Sequence, residues 1–399
     1  MQYRVDNKSG NEVSVLGFGC MRFPQSMGRI DLKKTEELVV AAVDAGINYF
    51  DTAYLYPGNE EALGKVVKKC DLRERINIAT KLPFSQCQGY EDFERLFKIQ
   101  KERLQTAYID YYFIHCIGTL EQWQHLCELG IERWIDEKKT SGEIRRIGFS
   151  FHGLKDEFTA ILDAYDWQFC QIQYNYLNIN YQAGVDGLKA AAAKNVPVFI
   201  MEPLLGGKLA NGLPDKAVEL FREKNSGWSP AAWALNWLWN QPEVTMLLSG
   251  MNEMAQLEEN LQLADKAQVG MMSTEEVATI ESVIKIVSES YKVPCTECNY
   301  CMPCPKGINI PGAFAAYNAS YAMGRVTGLS QHVLGIGGMG NDDTHFVSDC
   351  IACKKCEKHC PQNIEISKEL KQVGKRLESF WLRPLLAIAR KCLGVKRRK

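Results

Sequence analysis

The chain has 399 residues, with 47 Lys and Arg against 48 Asp and Glu and a net charge of −1, so it carries no global basic footprint for nucleic acid. The average hides a split, because from Lys368 onward 11 Lys and Arg face only 2 Glu, which makes the tail a separate electrostatic object. The start, MQYRVDNKSG, lacks the apolar stretch of an export signal, and no apolar run approaches the ~20 residues that span a bilayer. Fifteen cysteines in such a chain argue against a disulfide scaffold and for metal or cluster ligands in a reducing cytoplasm.

In chain order, residues 13–23 (VSVLGFGCMRF) predict a strand ending in glycines, and 33–46 (KKTEELVVAAVDAG) predict a helix stopped by Gly46. A strand over 48–54 follows, then a helix from Asn59, a strand over 76–82, a helix from Asp92, a strand over 108–116 and a helix from Leu120. Further strands are expected at 144–150, 169–175, 197–201 and 244–249, with helices at 155–165, 182–195 and 230–241. Ser229 before Pro230 is an N-cap followed by proline at the first helical position. Trp233 and Trp237, one turn apart, read as core packing. Eight strands alternating with helices over roughly 270 residues is the pattern of a (β/α)₈ TIM barrel. An open doubly wound sheet is the competing reading, and the missing G-x-G-x-x-G turn after the first strand argues against it.

In a barrel of this kind the C-terminal strand ends share one mouth. Asp51 and Tyr56 follow the second strand in FDTAYLYPGNEEALG, Lys81 ends the third in INIATKLP, and His115 ends the fourth in IDYYFIHC. The wording D-T-A-x-x-Y, with Lys and His on the next two strands, resembles the aldo-keto reductase family over about two-thirds of the chain. The resemblance implies a carbonyl or alcohol substrate and hydride exchange with NADP or NAD. Tyr56 would donate the proton, Lys81 oriented by Asp51 would lower the phenol's effective pKa, and His115 would hold the carbonyl oxygen. Cys20, Cys116 and Cys170 near the same mouth read as small buried residues.

The resemblance also implies a nucleotide site. Ser150 and Gln171 match two of its carboxamide ligands. The third position is Phe151, with His152 beside it as a replacement donor. Met201 stands where an aromatic commonly stacks on the nicotinamide. The turn from Pro203 through Leu204 and Gly206 to Gly207 offers backbone amides to a pyrophosphate, and Gly250 and Asn252 at a helix start form a second anion site. Glu259 and Asn260 match positions near the adenine. Gln256 replaces the arginine that reads the 2′-phosphate, and no Lys or Arg occurs between Ser249 and Ala264, which makes NADH as fair an expectation as NADPH.

Cys295, Cys298, Cys301 and Cys304 precede Pro305, and Cys350, Cys353, Cys356 and Cys360 precede Pro361. The second run is the bacterial C-x2-C-x2-C-x3-C-P signature of iron–sulfur proteins, and the first is one residue shorter. Two [4Fe–4S] clusters follow: one on Cys295, Cys298, Cys301 and Cys360, the other on Cys350, Cys353, Cys356 and Cys304. Packed triplets disfavour Cys₄ zinc, which pairs separated knuckles. The residues between the runs, with a helical stretch at 311–325 and a Gly-rich loop at 335–340, resemble the helical two-cluster domain of iron–sulfur subunits in respiratory enzymes.

The domain reading is therefore a barrel over 1–272, a connecting helix over 273–292, a mostly helical dicluster ferredoxin-like domain over 293–367, and a basic helix and tail over 368–399. The tail reads as a helix packed on the barrel, with contact to an anionic membrane surface as the alternative. Hydride carries two electrons and each cluster passes one, so direct exchange calls for a group such as a flavin. Three arrangements stay open: one redox path to a partner protein, an ordinary reductase with structural or sensing clusters, and a non-catalytic barrel that carries an electron-transfer module.

Overall fold

The computed structural model describes residues 1–386 apart from 154, 180–181, 297, 299, 323 and 336–344. It divides the chain into two compact units: residues 1–204 with 232–274, and residues 205–231 with 275 onward.

The first unit holds a closed barrel of eight parallel strands: β1 (Leu16–Gly19), β2 (Tyr49–Asp51), β3 (Asn77–Leu82), β4 (Ile109–Ile117), β5 (Ile144–Phe151), β6 (Phe169–Gln173), β7 (Val198–Met201) and β8 (Val244–Ser249). The barrel closes where β8 pairs with β1, Leu247 opposite Leu16 and Ser249 opposite Phe18. The expected first strand splits in two. Glu12–Ser14 pairs instead with Tyr3–Val5, and the Ser14 backbone N–H donates to Asn48 Oδ1 at 2.9 Å.

Helices α1 (Leu32–Asp44), α2 (Asn59–Lys69) and α3 (Tyr90–Leu104) follow the first three strands. In α1 the buried residues Thr35, Leu38, Val39, Ala42 and Val43 form one stripe at helical spacing, and Asp31 caps the N-terminus by accepting from the Lys33 and Lys34 amides. Two helices, not one, separate β4 from β5: α4 (Leu120–Glu128) and α5 (Ile131–Thr140). A Thr119–Gln122 capping box opens α4, and Gly130, at φ +90°, breaks the chain between them. The series continues with α6 (Lys155–Ala164) and α7 (Gly184–Ala193).

Because strand side chains alternate in direction, the inward positions stack in layers. The lower layers form an aromatic plug of Tyr49, Tyr111, Phe113, Phe169 and Phe199, packed edge to face except for the stacked Phe169–Phe199 pair, with centroids 4.7–5.5 Å apart. Two residues further along, the inward positions become Asp51, Lys81, His115, Ser150 and Gln171. Strand register sets them beside one another, with Asp51 opposite Ala79 and Gln171 opposite Ser150.

The second unit contains α8 (Asp215–Lys224), which lies between β7 and α9 (Pro230–Trp239) in the chain. After β8 and α10 (Met254–Ala264) it resumes with α11 (Thr274–Ser290), α12 (Ile310–Ala322), α13 (Arg325–Gly335) and α14 (Ile366–Leu377). Within this unit, Lys224 pairs with Glu275 at 2.9 Å and Lys208 Nζ donates to the Cys295 carbonyl. Val293, Ile308, Phe314, Val347, Ile364, Leu370 and Val373 form its core. Asn318 holds the entry to the first cysteine run by accepting from the Val293 amide at 3.0 Å and donating to its carbonyl at 2.6 Å. Among the described residues no helix is long and apolar enough to cross a membrane. The Gly-rich loop at 335–340, apart from Gly335, and the tail beyond 386 lie outside the described residues.

Candidate active site and cysteine centres

At the barrel mouth, Lys81 Nζ donates to Asp51 Oδ2 at 2.5 Å and to the Thr52 carbonyl at 2.8 Å. Gln171 Nε2 donates to the other Asp51 oxygen at 3.2 Å. Asp51 and Lys81 are buried, at 5% and 1% exposure. Burial pushes the Asp51 carboxyl up, and the Lys81 ammonium opposes it by charge and hydrogen bond. Behind the pair, Gln100 from α3 donates to the Lys81 carbonyl at 3.0 Å and to Glu60 and Thr80, so a buried polar network fixes the strand that carries the amine.

Tyr56 comes from the turn between β2 and α2. Its ring centroid lies 5.5 Å from Lys81 Nζ and 6.1 Å from the His115 ring, edge to face. Burial holds the phenol well above its ordinary range, with Asp51, Cys116, Glu202 and Cys20 adding to the effect. The phenol is therefore protonated at neutral pH. Burial also depresses His115 well below the ordinary histidine value, helped by Lys81 and His152, so its imidazole is neutral. His115 Nδ1 finds no hydrogen-bond partner among the described residues.

The residues expected around a nucleotide fall into several groups. Ser150 Oγ accepts from the Cys116 backbone N–H at 2.8 Å, on a residue at φ +56°. The His152 amide donates to the Ile117 carbonyl at 3.1 Å. Burial lowers its imidazole to about 4 against a hydrogen bond with Gln182 that raises it. The two loops touch through glycine: a Cβ on Gly153 would lie 2.0 Å from the Gly118 carbonyl oxygen. Pro203 and Leu204 follow β7 in the barrel unit, whereas Gly206, at φ +67°, belongs to the second unit. Gln171, expected on a carboxamide, is bonded to Asp51. Asn260 donates to Ser249 Oγ at 3.1 Å and is buried, which ties α10 to β8. Gln256 Oε1 accepts from the Asn252 amide at 3.1 Å, so one amide expected to face a phosphate is engaged within the helix start. Glu259 is partly exposed on the same helix.

Two residues at the mouth escaped the sequence reading. Arg22, after β1, lays its aliphatic stem against Gly250, where an added Cβ would meet Arg22 Cδ at 3.0 Å and Cβ and Cγ at 3.2 Å. It is exposed, and its stem packs just after β8 and ahead of α10, which has no Lys or Arg of its own. Glu202, at φ +54° beyond β7, adds to the upward shift of the Tyr56 phenol. Its only signal in the sequence was a carboxylate beside Met201 in IMEPLLGG.

In the second unit the eight cysteines gather around two cavities. Cys295, Cys298, Cys301 and Cys360 line one with Ile310, Phe314 and Ile364. Cys304, Cys350, Cys353 and Cys356 line another with Ile310, Ile351 and Lys354. Each set takes three sulfurs from one run and the proline-flanked fourth from the other. Among the described residues no carboxylate or imidazole lines either cavity. Backbone amides already point at sulfur: Lys306 N–H to Cys304 Sγ and Ala352 N–H to Cys350 Sγ, both at 3.4 Å. Four thiols per cavity, partly supplied with amide donors, fit the donor set of an iron–sulfur cube.

The fold and these sites define a barrel oxidoreductase joined to an iron–sulfur unit. Residues 15–285 match the aldo/keto reductase family, and the chain belongs to it; residues 294–365 match the 4Fe-4S dicluster domain. L-galactose dehydrogenase of Arabidopsis thaliana is 27% identical over 72% of this chain and 95% of its own length. The 6-dehydroglucose reductase of Novosphingobium aromaticivorans is 29% identical over 64% of this chain and 88% of its own. Among solved structures, an aldo-keto reductase from Bacillus halodurans in its holo form superimposes with a TM-score of 0.59 at 26% identity, covering 71% of this chain and 96% of that one.

Proposed function

We propose that the barrel moves a hydride between a nicotinamide dinucleotide and a carbonyl or alcohol carbon, and that the cysteine unit carries two [4Fe–4S] clusters for one-electron transfer. The buried Lys81–Asp51 pair at 2.5 Å, with the Tyr56 and His115 rings beside it, is the observation that carries the barrel half. Nicotinamide supplies the hydride. As charge grows on the carbonyl oxygen, Tyr56 gives it a proton, and the phenolate left behind faces the Lys81 ammonium. Asp51 holds that ammonium in place, and His115, neutral and a hydrogen-bond donor, orients the oxygen. Water exclusion strengthens each of these contacts.

The nucleotide would lie across Ser150, His152, Gln171 and the start of α10, with Arg22 on a phosphate. Because α10 carries no Lys or Arg of its own and Gln256 engages the Asn252 amide just ahead of it, a 2′-phosphate gains little there, which favours NADH at least equally with NADPH. The iron–sulfur unit would use Cys295, Cys298, Cys301 and Cys360 for one centre and Cys350, Cys353, Cys356 and Cys304 for the other. The mismatch between hydride and single electrons calls for a two-way group such as a flavin if the centres and the barrel exchange electrons directly. Free thiols in this number suit a reducing compartment such as the cytoplasm.

The test is anaerobic purification with iron, sulfide and flavin analysis, then NADH or NADPH addition followed by absorbance and EPR. Carbonyl-dependent oxidation of either nucleotide, lost in Tyr56→Phe, is the expected result. Full activity in Tyr56→Phe would remove Tyr56 as the acid.

A further inference from the structure

The two cysteine cavities differ in their access to solvent. Around the first, Thr296, Ile310, Phe314 and Ile366 are buried. Around the second, Cys353 is exposed and Ile351 is 59% exposed. Ile310, 1% exposed, lines both. The residues lining the second cavity are therefore the more solvent-facing of the two sets.

Basic residues accompany this set: Lys306 and Lys354 line the second cavity, and Lys355 and Lys358 flank Cys356 in the chain. Lys306, Lys354, Lys355 and Lys358 are all exposed, and none has a carboxylate ion-pair partner among the described residues. The carboxylates nearest in the chain are used internally. Asp349 pairs with Arg383 at 2.7 Å, and Glu357 accepts from Ser367 N–H at 2.9 Å and Oγ–H at 2.6 Å. The result is one exposed apolar side chain, Ile351, at the lining of the second cavity beside Lys306 and Lys354, with four lysines against the single charge of Glu357, which Lys354 partly offsets. A small apolar middle with a charged rim is the anatomy of a fast, transient protein interface, in which charge governs the encounter rate. A single exposed isoleucine gives a membrane little to bury.

We propose that this end of the unit is the docking face for a small acidic one-electron carrier protein, a reading that rests on the two-cluster assignment. Each encounter moves one electron and no atom. The carrier is oxidised by one electron as the Cys304/Cys350/Cys353/Cys356 centre is reduced by one, or the reverse.

The experiment uses the holoprotein and, as the acidic probe, a plant-type [2Fe–2S] ferredoxin, measuring both its Kd in the oxidised state and its second-order electron-transfer rate by stopped flow. Expected are a rate that falls about tenfold or more between 20 and 200 mM salt, as screening of a charged encounter requires, and a further loss of about tenfold in Lys354→Glu/Lys355→Glu/Lys358→Glu. Lys33→Glu/Lys34→Glu, on exposed barrel lysines, is expected to leave both quantities unchanged. Iron content is measured on every variant. If the triple variant loses iron, Lys306→Glu/Lys358→Glu provides the same comparison. Full iron with salt-independent transfer, or equal losses in the barrel variant, would overturn the docking face. Lysine-dependent binding to anionic phosphatidylglycerol vesicles, with none to the probe, would overturn it in favour of a lipid surface. Absence of iron from the wild-type protein would sink the cluster assignment beneath it.

Discussion

The barrel mouth and the cysteine unit assemble their reactive groups in opposite ways. At the mouth, Asp51, Lys81 and His115 lie on three strands, and only strand register and side-chain alternation bring them together. In the cysteine unit, three sulfurs of each centre come from one short loop, and the fold adds only the fourth. The mouth is therefore sensitive to anything that disturbs a buried charge or a strand, whereas each cysteine centre is sensitive mainly to its own ligands. Substitutions can test that division directly.

The largest effect is expected at the buried pair. Lys81→Met strands the Asp51 carboxylate without its counter-charge, which costs about 3–5 kcal/mol of stability when one member of a buried pair is removed, and turnover falls about 10²–10⁴-fold. Urea unfolding and steady-state kinetics measure the two losses. Tyr56→Phe is expected to show the same order of kinetic loss with little change in unfolding midpoint, because the phenol makes no ion pair. Iron content stays unchanged in both. A fall in iron with Lys81→Met would show that the two regions do not respond separately.

On the cysteine side, Cys304→Ser removes the ligand that crosses between runs. If Cys304 and Cys353 serve the same centre, Cys304→Ser/Cys353→Ser retains about four irons, the content of one cube. Cys304→Ser/Cys298→Ser then loses both centres. The reverse pattern would assign each run of four to a single cube. Iron and sulfide analysis with EPR distinguishes the two.

The same contrast governs what the sequence made readable. The strand–helix alternation was legible from the apolar runs, and Asp51, Lys81 and His115 at strand ends, with Tyr56 in the turn after Asp51, from those ends together with the resemblance to the aldo-keto reductases. The grouping of sulfurs around the two cavities was read from the C-x2-C-x2-C-x3-C-P signature of iron–sulfur proteins, whose proline-flanked fourth cysteine crosses to the other set. Arg22 was not. Its contact with Gly250 crosses the seam between β1 and β8, which are neighbours only after the barrel closes, and nothing near Arg22 in the chain announces that closure. The break at Gly130 was missed because a glycine between two amphipathic stretches reads equally well as a tolerated helical residue. The grouping of residues 205–231 with the second unit depends on long-range contacts such as Lys224–Glu275.

Arg22 gives a smaller and sharper test of the mouth. A charged hydrogen bond to phosphate contributes about 1.5–3 kcal/mol, so Arg22→Ala is expected to raise the nucleotide KM about 10- to 100-fold with kcat little changed. An equal factor for NADH and NADPH would place the guanidinium on the pyrophosphate. A loss confined to NADPH would place it on the 2′-phosphate. An unchanged KM for both would remove Arg22 from the site.

An effect seen only in acid concerns His152, whose imidazole is lowered to about 4 by burial, with Lys81 adding to the depression. An unfolded histidine titrates near 6.5. Between those values the unfolded chain binds a proton that the folded barrel refuses, so this residue's contribution to stability is complete above about pH 6.5 and declines as pH falls toward 4. His152→Gln keeps a hydrogen-bonding side chain and removes the titration. The melting temperature of the variant should therefore fall less steeply than that of the wild type below about pH 6.5, and the two should run parallel above pH 7. Acid effects on the cysteine centres are common to both proteins and cancel in the difference. Equal slopes across the whole range would mean that His152 titrates as freely in the folded barrel as in water, and that the loop joined through Gly118 and Gly153 does not seal it from solvent.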